Sequence, residues 1–271
     1  MSEQNMLGEN EYINEQDGLI YCSKCHTPRQ YRFTWLGQIR TPRMMCRCQT
    51  EEADRKREEQ AKRDFMDKVS RMKAAGLQDR SLREFTFAND RGINPEISRA
   101  HEYVNHWPEM KEKNMGLLLW GDVGTGKSFF AGCIANALIE QGVPVLMTNF
   151  ARILNTLTGM TGMERNEFVD SLSRYPLLIL DDLGMERSSE FALEQVFHVI
   201  DSRYRSKLPM IVTTNLTLDE IKHPADLAHE RIYDRVMERC VPVKINRQNI
   251  RTLNAAEQMK EARKLLASGT D

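Results

Sequence analysis

Gly121-Asp122-Val123-Gly124-Thr125-Gly126-Lys127-Ser128 is the stretch on which the reading of this chain turns. It satisfies G-x-x-x-x-G-K-[ST] at every fixed position. Its flanks agree with it. Gly116-Leu117-Leu118-Leu119-Trp120 is a continuous apolar run of the kind a buried strand requires, and Phe129 to Glu140 reads as a helix that Gln141-Gly142 closes. Strand, glycine-rich loop and helix in this order build an anion site. The glycines let the backbone wrap a phosphate, successive N–H groups point inward, and the helix N-terminus adds partial positive charge. On this reading Gly121, Asp122, Val123, Gly124, Thr125 and Gly126 form the cradle. Lys127 reaches the β- and γ-phosphates of a nucleotide, and Ser128 ligates Mg²⁺.

Working outward, Leu177-Leu178-Ile179-Leu180-Asp181-Asp182 is a second apolar run, tipped by two acids. Downstream of a phosphate loop, Asp181 is placed to hold Mg²⁺, directly or through water, and Asp182 to polarise an attacking water. Pro209 to Asn215 is a further buried strand with a polar tip. Asn215 either positions that water, touches the γ-phosphate or caps the strand. Val143 to Asn149 and Cys240 to Ile245 also read as strands. Helical patterns cover Phe150 to Leu157, Arg165 to Ser173, Ser188 to Lys207 and Arg251 to Leu266, with Gly159 and Gly162 breaking the span between the first two. Thr217-Leu218-Asp219-Glu220 is a capping box. Arg231 and Arg235 lie one turn apart on the helix that follows. Strands alternating with helices predict an α/β domain whose parallel sheet is covered on both faces.

The N-terminal part obeys other rules. Cys22-x-x-Cys25 and Cys46-x-Cys48 are two close thiol pairs, a pattern that suits a tetrahedral zinc site; His26 could replace one ligand. Four protein ligands make such a site structural, and so short a segment needs a staple to fold. Between Cys22 and Cys48 lie Lys24, Arg29, Arg32, Arg40, Arg43 and Arg47 and no acid, and Tyr31, Phe33 and Trp35 alternate among them. That pattern fits single-stranded nucleic acid, a protein partner, or a small hairpin core with a basic rim. Glu51 to Ala75 is dense in both charges, with a thin stripe of Phe65, Val69 and Met72, and reads as a solvated helix ended by Gly76. The expected domains are therefore a zinc-binding module at 1–50, a charged helical linker at 51–78 and a nucleotide domain at 79–271. Phe85-Thr86-Phe87 is an apolar anchor in the lead-in, and Ile97 to Trp107 looks helical.

The net charge is −1, so any attraction for nucleic acid must be local. No apolar run approaches the ~20 residues that cross a bilayer. Met1 to Tyr21 carries acids and neither Lys nor Arg, unlike a signal peptide. A cytoplasmic protein without disulfides is expected.

Gly121–Ser128, Asp181-Asp182-Leu183-Gly184, Thr213-Thr214-Asn215 and Arg231-Ile232-Tyr233-Asp234-Arg235 together resemble the DnaC/DnaI-type AAA+ ATPases, the replicative helicase loaders related to the transposition helper IstB. The cysteine knuckle and charged helix resemble the loaders of Gram-positive bacteria and their phages. The resemblance implies a Mg²⁺-dependent ATPase of the AAA+ fold. In it Asn215 is the sensor-1 residue, Arg235 the arginine finger that reaches a neighbouring chain's ATP, and Arg251 the sensor-2 arginine. It also implies self-association, a hexameric helicase bound by the N-terminal module, and single-stranded DNA bound by the ATPase module, with Arg152 to Arg165 where relatives carry a DNA-engaging insertion. Many AAA+ proteins have Asp-Glu at Asp181-Asp182; the shorter second acid implies slow hydrolysis, suited to a switch that DNA or a partner stimulates. Two rivals are an IstB-type helper of a transposase, which the zinc knuckle disfavours, and a nucleotide-bound adaptor without turnover.

Overall fold

The computed structural model describes residues 7–90, 92, 95–184, 189–246, 259–260 and 262–263. Contacts divide the chain into two compact units, Met1–Asp67 and Lys68–Asp271. Arg251 and most of the expected final helix lie outside the described residues.

The first unit holds two antiparallel hairpins. Strand β1 (Glu11–Ile13) pairs with β2 (Ile20–Cys22), and β3 (Phe33–Trp35) pairs with β4 (Gln38–Arg40). The β3–β4 turn places Leu36 at φ 48° and Gly37 at φ 75°. Two successive positive φ angles define the tight turn whose twist matches a hairpin. Glu11 anchors the unit: its carboxylate is buried and accepts from Arg29 at 2.7 Å, Arg43 at 3.0 Å and the Gly8 amide at 2.8 Å. Tyr31, Phe33 and Trp35 are 50%, 36% and 59% exposed, so the aromatics do not form the small core that was one reading of their pattern. Helix α1 (Arg47–Gly76) follows. It begins before the expected Glu51 because the second cysteine pair opens it: the Cys46 carbonyl accepts from the amides of Gln49 and Thr50. Gly76 ends it where a Cβ would stand within 1.8 Å of the Val145 carbonyl oxygen, so no other residue fits there.

In the second unit come α2 (Ile97–Asn105), α3 (Trp107–Glu112), β5 (Gly116–Trp120), α4 (Lys127–Glu140), β6 (Val145–Asn149), α5 (Phe150–Thr158), α6 (Gly162–Leu172), β7 (Leu177–Leu183), α7 (Glu190–Arg205), β8 (Met210–Thr214), α8 (Leu218–Lys222), α9 (Leu227–Arg239) and β9 (Cys240–Lys244). The five strands form one parallel sheet in the order β6-β7-β8-β5-β9. Side chains alternate across the sheet, as extended backbone requires. Leu117, Leu119, Ile179 and Ile211 face one core with α2, α3 and α4; Leu118, Leu178, Leu180 and Val212 face another with α5, α6, α7 and α9. Both faces are covered, which is why the strands read as unbroken apolar runs.

Two further helices also differ from the sequence expectation. The span Ile97 to Trp107 divides at His106, where a second helix starts with Pro108 in its first turn. Helix α6 begins at Gly162 rather than Arg165, because Thr161 and Glu164 form a reciprocal capping box that starts it there.

Candidate functional site

The phosphate loop connects β5 to α4 at the C-terminal edge of the sheet, the edge where ligands of parallel α/β folds collect. The loop depends on its glycines: Gly121, Gly124 and Gly126 have φ of 140°, 81° and 95°. A Cβ on Gly121 would also approach the Ile245 carbonyl oxygen to 2.5 Å. The Thr125 hydroxyl donates to the Asp122 carbonyl at 2.9 Å and ties the loop to itself. Lys127 is buried, and its Nζ donates to the carbonyls of Gly121 and Asp122, each at 2.8 Å, and to Asn215 Oδ1 at 2.7 Å. The ammonium thus meets neutral oxygens at the loop and at the tip of β8. Asn215, left open between capping and site roles, has its amide on Lys127.

Asp181 stands at the end of β7, two strands from β5, with β8 between them. Its Oδ1 accepts from Ser128 at 3.0 Å and from Thr213 at 2.6 Å. Burial pushes its carboxyl above the ordinary aspartate value, against these two hydrogen bonds. A half-buried carboxylate beside a hydroxyl is a hard oxygen pair of the kind Mg²⁺ takes. The Thr213 hydroxyl also accepts from the Asp182 amide at 2.9 Å. That bond sits in an irregularity of the β7–β8 register between Leu180 and Leu183, with Asp182 at φ 61°. The bulge turns Asp182 out of the strand's alternation and leaves it exposed. Thr214 Oγ1 donates to the Leu183 carbonyl at 2.7 Å and closes the same feature.

Thr213 and the bulge were not assigned roles from sequence. The available signal was two hydroxyls ending the apolar run of β8, where a buried strand gains nothing from polar groups unless they have partners.

Arg235 is held within its own chain. Its Nε donates to Asp201 Oδ1 on α7 at 2.7 Å, and its guanidinium lies 4.7 Å from the Phe197 ring centroid. Arg231, one turn earlier, is exposed, and its side chain forms no ion pair with the described residues.

In the first unit the four expected thiols converge: Cys22, Cys25, Cys46 and Cys48 place their sulfurs within 4.8 Å of one another. Cys46 and Cys48 are 3.3 Å apart, and Cys22 and Cys48 3.6 Å. Four thiolates bound to Zn²⁺ at ~2.3 Å are separated by ~3.8 Å, so the set fits that ion. Cys22 and Cys25 flank the turn after β2, and Cys48 lies in the first turn of α1. Helical geometry explains the tight second pair. The Thr27 hydroxyl beside Cys25 lowers that thiol to about 5, while Cys46 against Cys48 raises the latter to about 12. His26 is not in the cluster; its Nδ1 lies 3.5 Å from the Tyr12 hydroxyl.

A parallel sheet of this order, with a phosphate loop on one strand and an acid tip two strands away, defines a P-loop nucleotide-binding protein of the AAA+ class. The crystal structure of DnaI has the same fold, with a TM-score of 0.53 and 25% identity over 63% of this chain and 93% of that one. The chain is 28% identical over 143 residues to the replicative helicase loader DnaC of Escherichia coli K12, covering 52% of this chain and 56% of DnaC. It is 29% identical over 153 residues to the replicative helicase loader DnaI of Bacillus subtilis 168, covering 51% and 48%. The chain spans about half the length of the curated relatives it matches. The IstB-like ATP binding protein family matches residues 53–258, and the chain belongs to that family. No described helix is long and apolar enough to cross a membrane.

Proposed function

We propose that this chain is an ATP-dependent loader of a replicative DNA helicase. The observation that carries the nucleotide part is the convergence of Lys127 on Asn215 and of Ser128 and Thr213 on Asp181. In the bound state Lys127 turns to the β- and γ-phosphates, and Ser128 and Asp181 share Mg²⁺, directly or through water. Mg²⁺ supplies charge neutralisation on the phosphates. Asp182, exposed and outside the strand's alternation, polarises the attacking water, and Asn215 reports on the γ-phosphate. Arg235 acts on the nucleotide of a neighbouring chain once its pair with Asp201 opens. Arg251 is assigned to the same site on resemblance alone.

The helicase part rests on relatives described as replicative helicase loaders. The domains are a zinc module at 1–50, a helical linker at 51–78 and the ATPase at 79–271. The β3–β4 hairpin supports a partner-binding role for the module. Leu36 is 89% exposed at a left-handed φ, with Trp35 and Ile39 59% and 70% exposed beside it. A bulky apolar residue held in that conformation is costly and is a feature of recognition surfaces. Single-stranded DNA binds the ATPase domain.

The test is ATP turnover by the full chain, alone, with single-stranded DNA and with a purified hexameric replicative helicase. Turnover that DNA or helicase raises and that Lys127→Ala abolishes is expected. Tight Mg·ATP binding without turnover under every condition would leave the adaptor reading in its place.

A further inference from the structure

We propose that one face of the β3–β4 hairpin binds single-stranded DNA by stacking on its bases. This goes beyond the nucleotide reading and shares no residue with it; only the choice of DNA over RNA rests on the loader reading. Tyr31, Phe33 and Trp35 recur at every second position, so extended backbone sends them to one side of the hairpin. Register fixes what stands beside them. Arg40 lies directly opposite Phe33, and Gln38 directly opposite Trp35. Directly opposed residues of an antiparallel pair share a face. The face is therefore a single file of three rings flanked by a guanidinium and an amide, and all five residues are exposed.

The rings are set for flat ligands. Tyr31 and Phe33 stack on each other, with centroids 5.5 Å apart and planes 20° apart. Rings that hold each other in place lose little freedom when a ligand arrives. Alternate positions along a strand are ~6.8 Å apart, so successive rings meet successive bases of a nucleic acid drawn out of its own stack. Every base has a π-face, which makes such contacts tolerant of sequence.

Charge selects the occupant. The chain between Cys22 and Cys48 holds no acid. The Arg40 side chain forms no hydrogen bond or ion pair with the described residues, so its fork is open to a phosphate. The acids of the neighbouring hairpin are directed elsewhere. Glu11 is buried under Arg29 and Arg43, and Arg32 Nη2 donates to the Asp17 carbonyl at 2.7 Å. Arg32 alternates with Tyr31 and Phe33, so that bond puts the turn carrying Asp17 on the side away from the rings. Ile39, opposite Thr34, also projects to that other side. The hairpin thus has an aliphatic side and an aromatic, cationic side. A protein hot spot is a packed cluster around a desolvated centre. The aromatic side is instead a file of rings with Arg40 and Gln38 across from it, and an apolar partner would leave both of these unsatisfied.

The test uses the full chain and fluorescein-labelled oligothymidylate, read by anisotropy, with a 5-bromodeoxyuridine oligonucleotide for photo-crosslinking. Phe33→Leu keeps an apolar side chain and removes the π-face. This variant and Trp35→Ala should each bind at least about fivefold more weakly, while Phe33→Tyr should match wild type. Arg40→Gln should lessen the salt dependence of binding by about one phosphate contact. ATP binding should be unchanged in all four. Irradiated wild-type complexes should carry a cross-link on Tyr31, Phe33 or Trp35, a readout that needs no variant. The proposal falls if cross-links lie only within residues 68–271, if Phe33→Leu binds oligothymidylate as wild type does, or if oligouridylate of the same length binds more tightly. It also falls if the variants keep their affinity for DNA and lose affinity for a purified hexameric helicase instead. A chain that meets every expectation here and does not place helicase on DNA would lose the loader reading and keep this site.

Discussion

Lys127 is buried and Asp181 half-buried, and each is accommodated in a different way. Lys127 donates to three oxygens. Replacing it with Ala should abolish tight ATP binding, because the group facing the terminal phosphates is gone; a calorimetric titration reads this. Burial and the neighbouring Asp182 charge outweigh the help Asp181 has from Thr213, Ser128 and the Lys127 charge, and its carboxyl is raised above the ordinary 3.8. A carboxylate with a raised folded pKa binds its proton more tightly in the folded chain than in the unfolded one. Its contribution therefore favours folding in acid and is lost as pH rises through the folded value. At neutral pH without Mg²⁺, Asp181→Asn should melt at a higher temperature than wild type. That gap should narrow as pH falls toward 4, and the variant should not respond to Mg²⁺. A lower melting temperature at neutral pH would contradict this account of the site. Thr213→Val removes the hydroxyl that orients both acids. Orienting groups of this kind are worth ~10- to 100-fold in metal affinity. The Mg²⁺ concentration for half-maximal nucleotide hydrolysis should rise by at least about tenfold, with ATP binding in EDTA little changed.

At the scale of elements, two connections are held by unusual means. Arg203 on α7 is 1% exposed and donates to the carbonyls of Tyr175, Pro176 and Pro209, which fixes the entrances of β7 and β8. Arg203→Ala would leave those carbonyls unpaired and should cost about 3 kcal/mol or more in urea unfolding. The turn after β2 and the first turn of α1 are joined through the four cysteines. Purified protein should carry one Zn²⁺ per chain. Its removal by a chelator should unfold the β1–β4 region while ATP binding survives, as separate cores allow. Stoichiometric metal analysis that finds no zinc would sink the site. Much of this was legible beforehand. The phosphate loop has fixed positions, parallel strands buried on both faces are unbroken apolar runs, and paired cysteines are rare enough to stand out. Strand order was not legible, because periodicity reports burial and says nothing of neighbours. The bulge at Asp182 was hidden for the same reason, since positive φ there depends on Thr213 across the sheet. The split at His106 and the pairing of Arg235 with Asp201 likewise come from contacts between segments distant in sequence.

At the scale of the whole molecule, the account requires one chain's arginine to act on another's nucleotide. Arg235 is bound in cis to Asp201 within the single chain, so activity should depend on self-association. Arg235→Ala and Lys127→Ala proteins should each be inactive, and mixing them should restore part of the ATPase activity at interfaces that join an intact loop to an intact arginine. Wild-type turnover by Arg235→Ala alone at every concentration would remove the finger from the account. The central claim is helicase loading, and its most direct measurement is the amount of a hexameric replicative helicase retained on closed circular single-stranded DNA after incubation with this chain. Helicase should appear on the circle when the chain and ATP are both present, and not with Lys127→Ala. Equal retention with and without the chain, or equal retention with the Lys127 variant, would contradict it.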